Sequence, residues 1–226
     1  MSLLAQLIST EAPRLPALAL SIWWLHLGWA VVLAWLAAGL GRWTGLPRAV
    51  QLVFAAVLAL WTCLPGPYAP SHWLGLAFQA PSISLVLLCA LDLYQRYWRS
   101  AVSLAEGQSA RGFLVLAGVL LGWVLLLDTF AVFPVALYAW GFSPAVPVVV
   151  VVAVLLPWAL RHKEPATPCA HGVIALAMLV FAALRLPSGN AWDALLDPWL
   201  WLALHVLGGR MLMHRQRCRA GGRFSL

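Results

Sequence analysis

His26 and His205 are the residues whose type and placement most suggest chemistry. Each lies in a long apolar run, roughly 11 Å from the external end at about 1.5 Å of helix rise per residue. Polar side chains at that depth are costly, so each one is a functional candidate. Two neutral imidazoles at one depth on different helices suit axial ligation of a b-type haem through Nε2 of each ring, or a quinone-linked electron-transfer site. Gly208 and Gly209 beside His205 would relieve crowding around a macrocycle. The competing reading is that each ring hydrogen-bonds to a neighbouring helix and holds no cofactor.

A second group lies near the same external end. Gln79 precedes Pro81, Asp128 closes an apolar run, and Arg185 closes another, with Asp193 and Asp197 in the loop beyond. Arg185 is expected to pair with one of those carboxylates, as structural glue or as a substrate or proton relay. Cys63, Arg185 and a histidine (His72 or His205) also project toward this face. Their chain order is similar to that of membrane cysteine transpeptidases of the exosortase type, whose activity would imply a thiol nucleophile with a base in hydrogen-bond reach. The surrounding sequence TCLPG departs from that family's motif, which leaves the nucleophile unsupported.

On the opposite side, His162, Cys169, His171, His214 and Cys218 offer Zn²⁺ ligand types, but no compact pair such as CxxC is present and no metal site is expected. HExxH, GxSxG and P-loop motifs are absent, as is a carboxylate cluster for two-metal chemistry. The single lysine, Lys163, lies outside every apolar run, which excludes a retinal Schiff base.

The elements that position these residues follow from composition. The chain is 63% apolar and 9% charged over 226 residues, against about 25% charge in ordinary soluble domains. So few charges cannot cover a water-facing surface, whereas apolar side chains facing lipid are at no disadvantage. Seven apolar runs are separated by Pro, Gly and Arg: about 18–40, 49–64, 74–93, 112–133, 145–160, 170–186 and 198–213. They are continuously apolar, not alternating, so helices are expected in preference to a barrel. The expectation is a single integral membrane domain of seven helices with no soluble domain.

Twelve of the fourteen basic residues fall on one side of this pattern; only Arg14 and Arg185 fall on the other. The positive-inside bias orients the N-terminus outside and the C-terminus in the cytoplasm. The first 16 residues lack a basic n-region and read as a short external segment. Tryptophans 43, 61, 73, 98, 158, 192 and 199 mark the ends of runs, as interfacial belt residues do. The scattered basic residues argue against a nucleic-acid partner; the tail HRQRCRAGGRFSL is suited to anionic lipid. Thirteen Arg against one Lys hint at a GC-rich bacterial source, and hence a bacterial inner membrane. Asp92 and Glu106 read as solvated loop residues, and Arg96 as a snorkelling one. Cys63 falls outside and the other three cysteines inside, so no disulfide is expected.

Gly118 and Gly122 form a GxxxG, Ala30, Ala34 and Ala38 a small-residue stripe, and Ala55 with Ala59 another; all three point to close helix packing, expected within the chain. Prolines 134, 144 and 147 predict a break over 130–147, as an interfacial helix or re-entrant turn. On these grounds the expected function is that of a non-enzymatic inner-membrane component, either an accessory or assembly subunit of a complex or a small transporter. Haem or quinone electron transfer is the first alternative, and the external thiol transpeptidase the second.

Overall fold

The computed structural model describes residues 14–98, 108–159 and 170–221, and among them every regular element is a helix. In chain order these are α1 (Leu18–Trp43), α2 (Arg48–Thr62), α3 (Pro70–Phe78), α4 (Ile83–Trp98), α5 (Gln108–Thr129), α6 (Leu137–Trp140), α7 (Ala145–Ala159), α8 (Ala170–Leu184), α9 (Ala191–Leu195) and α10 (Pro198–Gly221). Two stretches, Leu18–Trp43 and Gly112–Thr129, are long and apolar enough to cross a bilayer. α2, α7 and α8 are apolar but shorter.

The small-residue stripes form the tightest seam. Ala34 and Ala38 of α1 pack on Ala55 of α2, with Ala59 alongside, so the two backbones approach closely. α1 also packs on α4 through Trp29, Val32, Leu85, Val86 and Cys89. α4 leads to α8, where Ile83, Met178 and Phe181 are fully or almost fully buried. α5 lies against α10. A Cβ on Gly118 would stand 2.6 Å from Leu204 Cδ1, and one on Gly122 would strike the Trp201 indole. Both glycines of the GxxxG are therefore occupied within the chain.

One apolar run departs from expectation. Residues 74–93 do not form one helix: α3 ends at Phe78, Gln79 turns into the left-handed region at φ 61°, and α4 begins at Ile83. Pro81 is the local cause, since it disfavours the helical conformation at Ala80 and donates no N–H. The neighbours settle the path. Ser71 meets His26, Gly75 packs on Leu25, Pro81 packs on Gly28, and the carbonyls of Gln79 and Pro81 accept from the indoles of Trp29 (2.8 Å) and Trp24 (2.9 Å). Both ends of α3 thus touch the same two turns of α1, so α3 runs across α1 and α4 alone continues along it. The freed carbonyls, expensive in a lipid setting, are met by side chains.

The break expected over 130–147 is present. α5 ends at Thr129 with Ala131 at φ 53°, and the short α6 intervenes before α7.

Candidate functional site

The site grows out of the α1–α3 crossing. A cavity of about 270 Å³ opens there, lined by Leu25, His26, Gly66, His72, Gly75 and Leu76. Gly75 makes the approach close: its missing Cβ would stand 2.9 Å from Leu25 Cδ2. His72 precedes Gly75 by three residues on α3 and so shares the face that meets α1.

The hydrogen bonds around His26 fix its tautomer. Its Nδ1 lies 2.7 Å from Ser71 Oγ and 3.2 Å from the Thr62 carbonyl oxygen. Ser71 is fully buried and donates its one hydroxyl proton to the same Thr62 carbonyl at 2.7 Å. Both neighbours therefore act as acceptors toward Nδ1, which must carry the proton. Nε2 then bears a lone pair, and it has no hydrogen-bond partner among the described residues. The ring of His72 makes no hydrogen bond among them either; it stands edge-on to Trp73 at 5.4 Å between centroids. Ser71 and the Thr62 carbonyl escape sequence inspection because the chain places them 45 and 36 residues from His26.

His205 is built differently. Its Nδ1 lies 2.9 Å from the Trp201 carbonyl, one turn back on α10, and must donate there. Its Nε2 accepts from the Trp123 indole of α5 at 3.2 Å. Trp123 and Trp201 stand edge-on to the ring at 6.2 and 4.7 Å. Both nitrogens are occupied, Nδ1 within α10 and Nε2 by the indole from α5, and the neighbours of His205 are not those of His26. The structure does not bring the two imidazoles to one site, and an axial haem bond at His205 would have to displace the Trp123 donor.

The relay residues are also dispersed. Gln79 is exposed at the end of α3. Both oxygens of Asp128 accept backbone N–H groups at the start of α6, from Leu137 (3.1 Å) and Tyr138 (2.7 Å). Arg185 ends α8 at φ 58° and lies over the Phe181 ring, 5.2 Å from its centroid. Among the described residues it forms no ion pair, contrary to expectation, because the carboxylates are held by N–H and hydroxyl donors. Asp193 accepts from Tyr138 Oη (2.7 Å) and Ser188 Oγ, while Asp197 accepts from the N–H groups of Leu200 and Ser82, both at 2.7 Å. Asn190, fully buried, caps α9 through Trp192 N and donates to the Tyr138 carbonyl. Burial, and then the bond to and charge of Asp193, push the Tyr138 phenol above its ordinary value. These groups clasp the segments around α6 and α9 together.

Cys63 is exposed at the C-terminal end of α2, and no hydrogen bond links its thiol to an imidazole among the described residues. Among the described residues no hydrogen bond or ion pair joins Cys63 to Arg185, which lies over Phe181. Of the second His and Cys set, His162, Cys169 and the side chain of Cys218 lie outside the described residues. No group of three or more potential metal-ligating His, Cys, Asp or Glu residues occurs among the described ones.

Asp92 keeps 41% of its side chain exposed, and it has partners that the sequence does not show. Asp92 and Arg96 pair with each other across one turn of α4; Asp92 also accepts from the Trp35 indole at 2.5 Å, and the guanidinium lies over that indole, 5.8 Å from the ring centroid. Neighbouring Tyr97 donates to Gln51 Oε1 at 3.0 Å, and Gln51 donates to the Leu46 carbonyl at 2.8 Å. This cluster ties α1, α2 and α4 at the opposite end from the cavity. No protein-family model, no curated protein and no solved structure matches this chain.

Proposed function

We propose that the chain is a seven-span protein of a bacterial inner membrane, N-terminus outside and C-terminus in the cytoplasm. Its role is that of a non-enzymatic accessory or assembly subunit of a larger membrane complex. The observation that carries the membrane reading is the outward apolar surface of the two longest apolar helices. A long apolar helix in a water-soluble protein is buried, yet only 28% of the apolar window in α1 and 6% of that in α5 are buried. Phe113, Leu116, Leu120, Trp123 and Leu127 of α5 are all exposed. Patches of that extent need lipid or a partner protein to cover them. Twelve basic residues against two then orient the bundle.

Two features favour a subunit over a transporter. The carboxylates at the external end spend their oxygens on loop N–H and hydroxyl groups, which suits structural clasps better than a relay. α5 meets the bundle chiefly through the Gly118–Gly122 seam on α10, leaving its opposite face for a neighbour.

Native mass spectrometry of the tagged protein, extracted from its own host in mild detergent, tests this role. Stoichiometric added mass from one or more other polypeptides is the expected outcome. A lone chain under conditions that preserve known membrane complexes would overturn the subunit reading and favour an independent transporter.

A further inference from the structure

We propose that His26 and His72 form a site for a transition-metal dication of the Zn²⁺ or Cu²⁺ type in the cavity between α1 and α3. Two imidazoles line one open cavity, and imidazole suits both metals. The stronger indication is the support behind His26. A metal-binding histidine coordinates through the lone pair of one nitrogen, while its other N–H donates to a carbonyl or similar acceptor that fixes the tautomer and ring orientation. His26 has that arrangement in advance: Nδ1–H is held by the Thr62 carbonyl and by Ser71 Oγ, itself pinned to the same carbonyl. Nε2 is left without a partner among the described residues. His205 serves as the internal comparison, because its Nε2 is already taken by Trp123.

The donor set defines the ion. Two neutral nitrogens with no carboxylate among the described residues that line the cavity disfavour Mg²⁺ and Ca²⁺, which take oxygen ligands. The other coordination positions fall to water or to an exogenous ligand, so the site is an open one. Leu25 and Leu76 supply apolar walls. In the proposed topology the cavity faces the external side, so the ion arrives from there.

The test is a Cu²⁺ titration by calorimetry of the full chain in detergent, purified through a tag without histidine. Wild type is compared with His26→Asn, His72→Ala and Ser71→Ala. Asn at 26 keeps an amide N–H for the Thr62 carbonyl while removing the ligand nitrogen; His72→Gln replaces His72→Ala if the alanine variant does not elute and melt as wild type does. One tight equivalent is expected in wild type, weakened tenfold or more by each histidine substitution. Ser71→Ala should weaken it by about tenfold, the lower end of outer-shell effects. The proposal is overturned if wild type shows no tight equivalent, or if either correctly folded histidine variant retains affinity within tenfold of wild type.

Discussion

At the scale of single residues, the decisive information is which atom of a side chain is already engaged. His26 and His205 are equivalent in the sequence: same type, same depth, both in apolar helices. Depth follows from counting at a fixed rise per residue, but the direction a side chain faces around its helix depends on neighbours far along the chain. That is why the depth match was legible and the separation of the rings was not. Tyr138 offers a residue-scale prediction. A folded-state value above the ordinary one means that the native protein keeps its proton where the unfolded chain has lost it. The stability from this group is complete below about pH 10, the ordinary tyrosine value, and is lost as pH rises through the higher native value. Tyr138→Phe should lower the melting temperature at neutral pH by removing the bond to Asp193. It should also flatten the decline above about pH 10, read by thermal melts in detergent. Parallel declines in the two proteins would exclude Tyr138 as the source.

At the scale of elements, small-residue spacing was informative and apolar run length less so. Gly118 and Gly122, four apart, marked one helix face, and that face holds α10. Ala34, Ala38 and Ala55 did the same for α1 and α2. Gly122→Leu should therefore destabilise the α5–α10 pair by about 1–3 kcal/mol, as overpacking of a close contact does. A lower melting temperature is expected, with a change in Trp123 and Trp201 fluorescence. An unchanged melt and spectrum would mean that the two helices are not seated as described. Run length misled over 74–93, because a run reports only what lipid or a core will accept. Pro81 signalled a kink, yet the full break also needs acceptors and donors at the right height. Trp24 and Trp29 supply the donors from another helix. At the C-terminal end of that run, the indole partner of Asp92 was not legible because Trp35 is 57 residues away.

For the whole molecule, the proposed topology makes the cysteines reporters of sidedness. Cys63 is exposed at the C-terminal end of α2, which that topology puts outside, whereas Cys89 is buried against α1 on α4, whose C-terminal end it puts inside. A membrane-impermeant maleimide applied to intact cells should label Cys63, and Cys63→Ser should abolish that labelling. Labelling that persists in the Cys63→Ser protein would place another thiol outside and reverse or rearrange the orientation. The crossing of α1 by α3 bears on how such a protein tolerates different membranes. α3 is fixed to α1 through two indoles and the glycine contacts, and to α2 through the bond from Ser71 to the Thr62 carbonyl. When bilayer thickness changes, helices tilt or the lipid deforms at small cost per ångström. Under such adjustment α1 and α3 move as one body, like a crossbar fixed to its post. In the proposed membrane setting the chamber holding His26 and His72 is then expected to keep its dimensions while the surrounding lipid is remodelled.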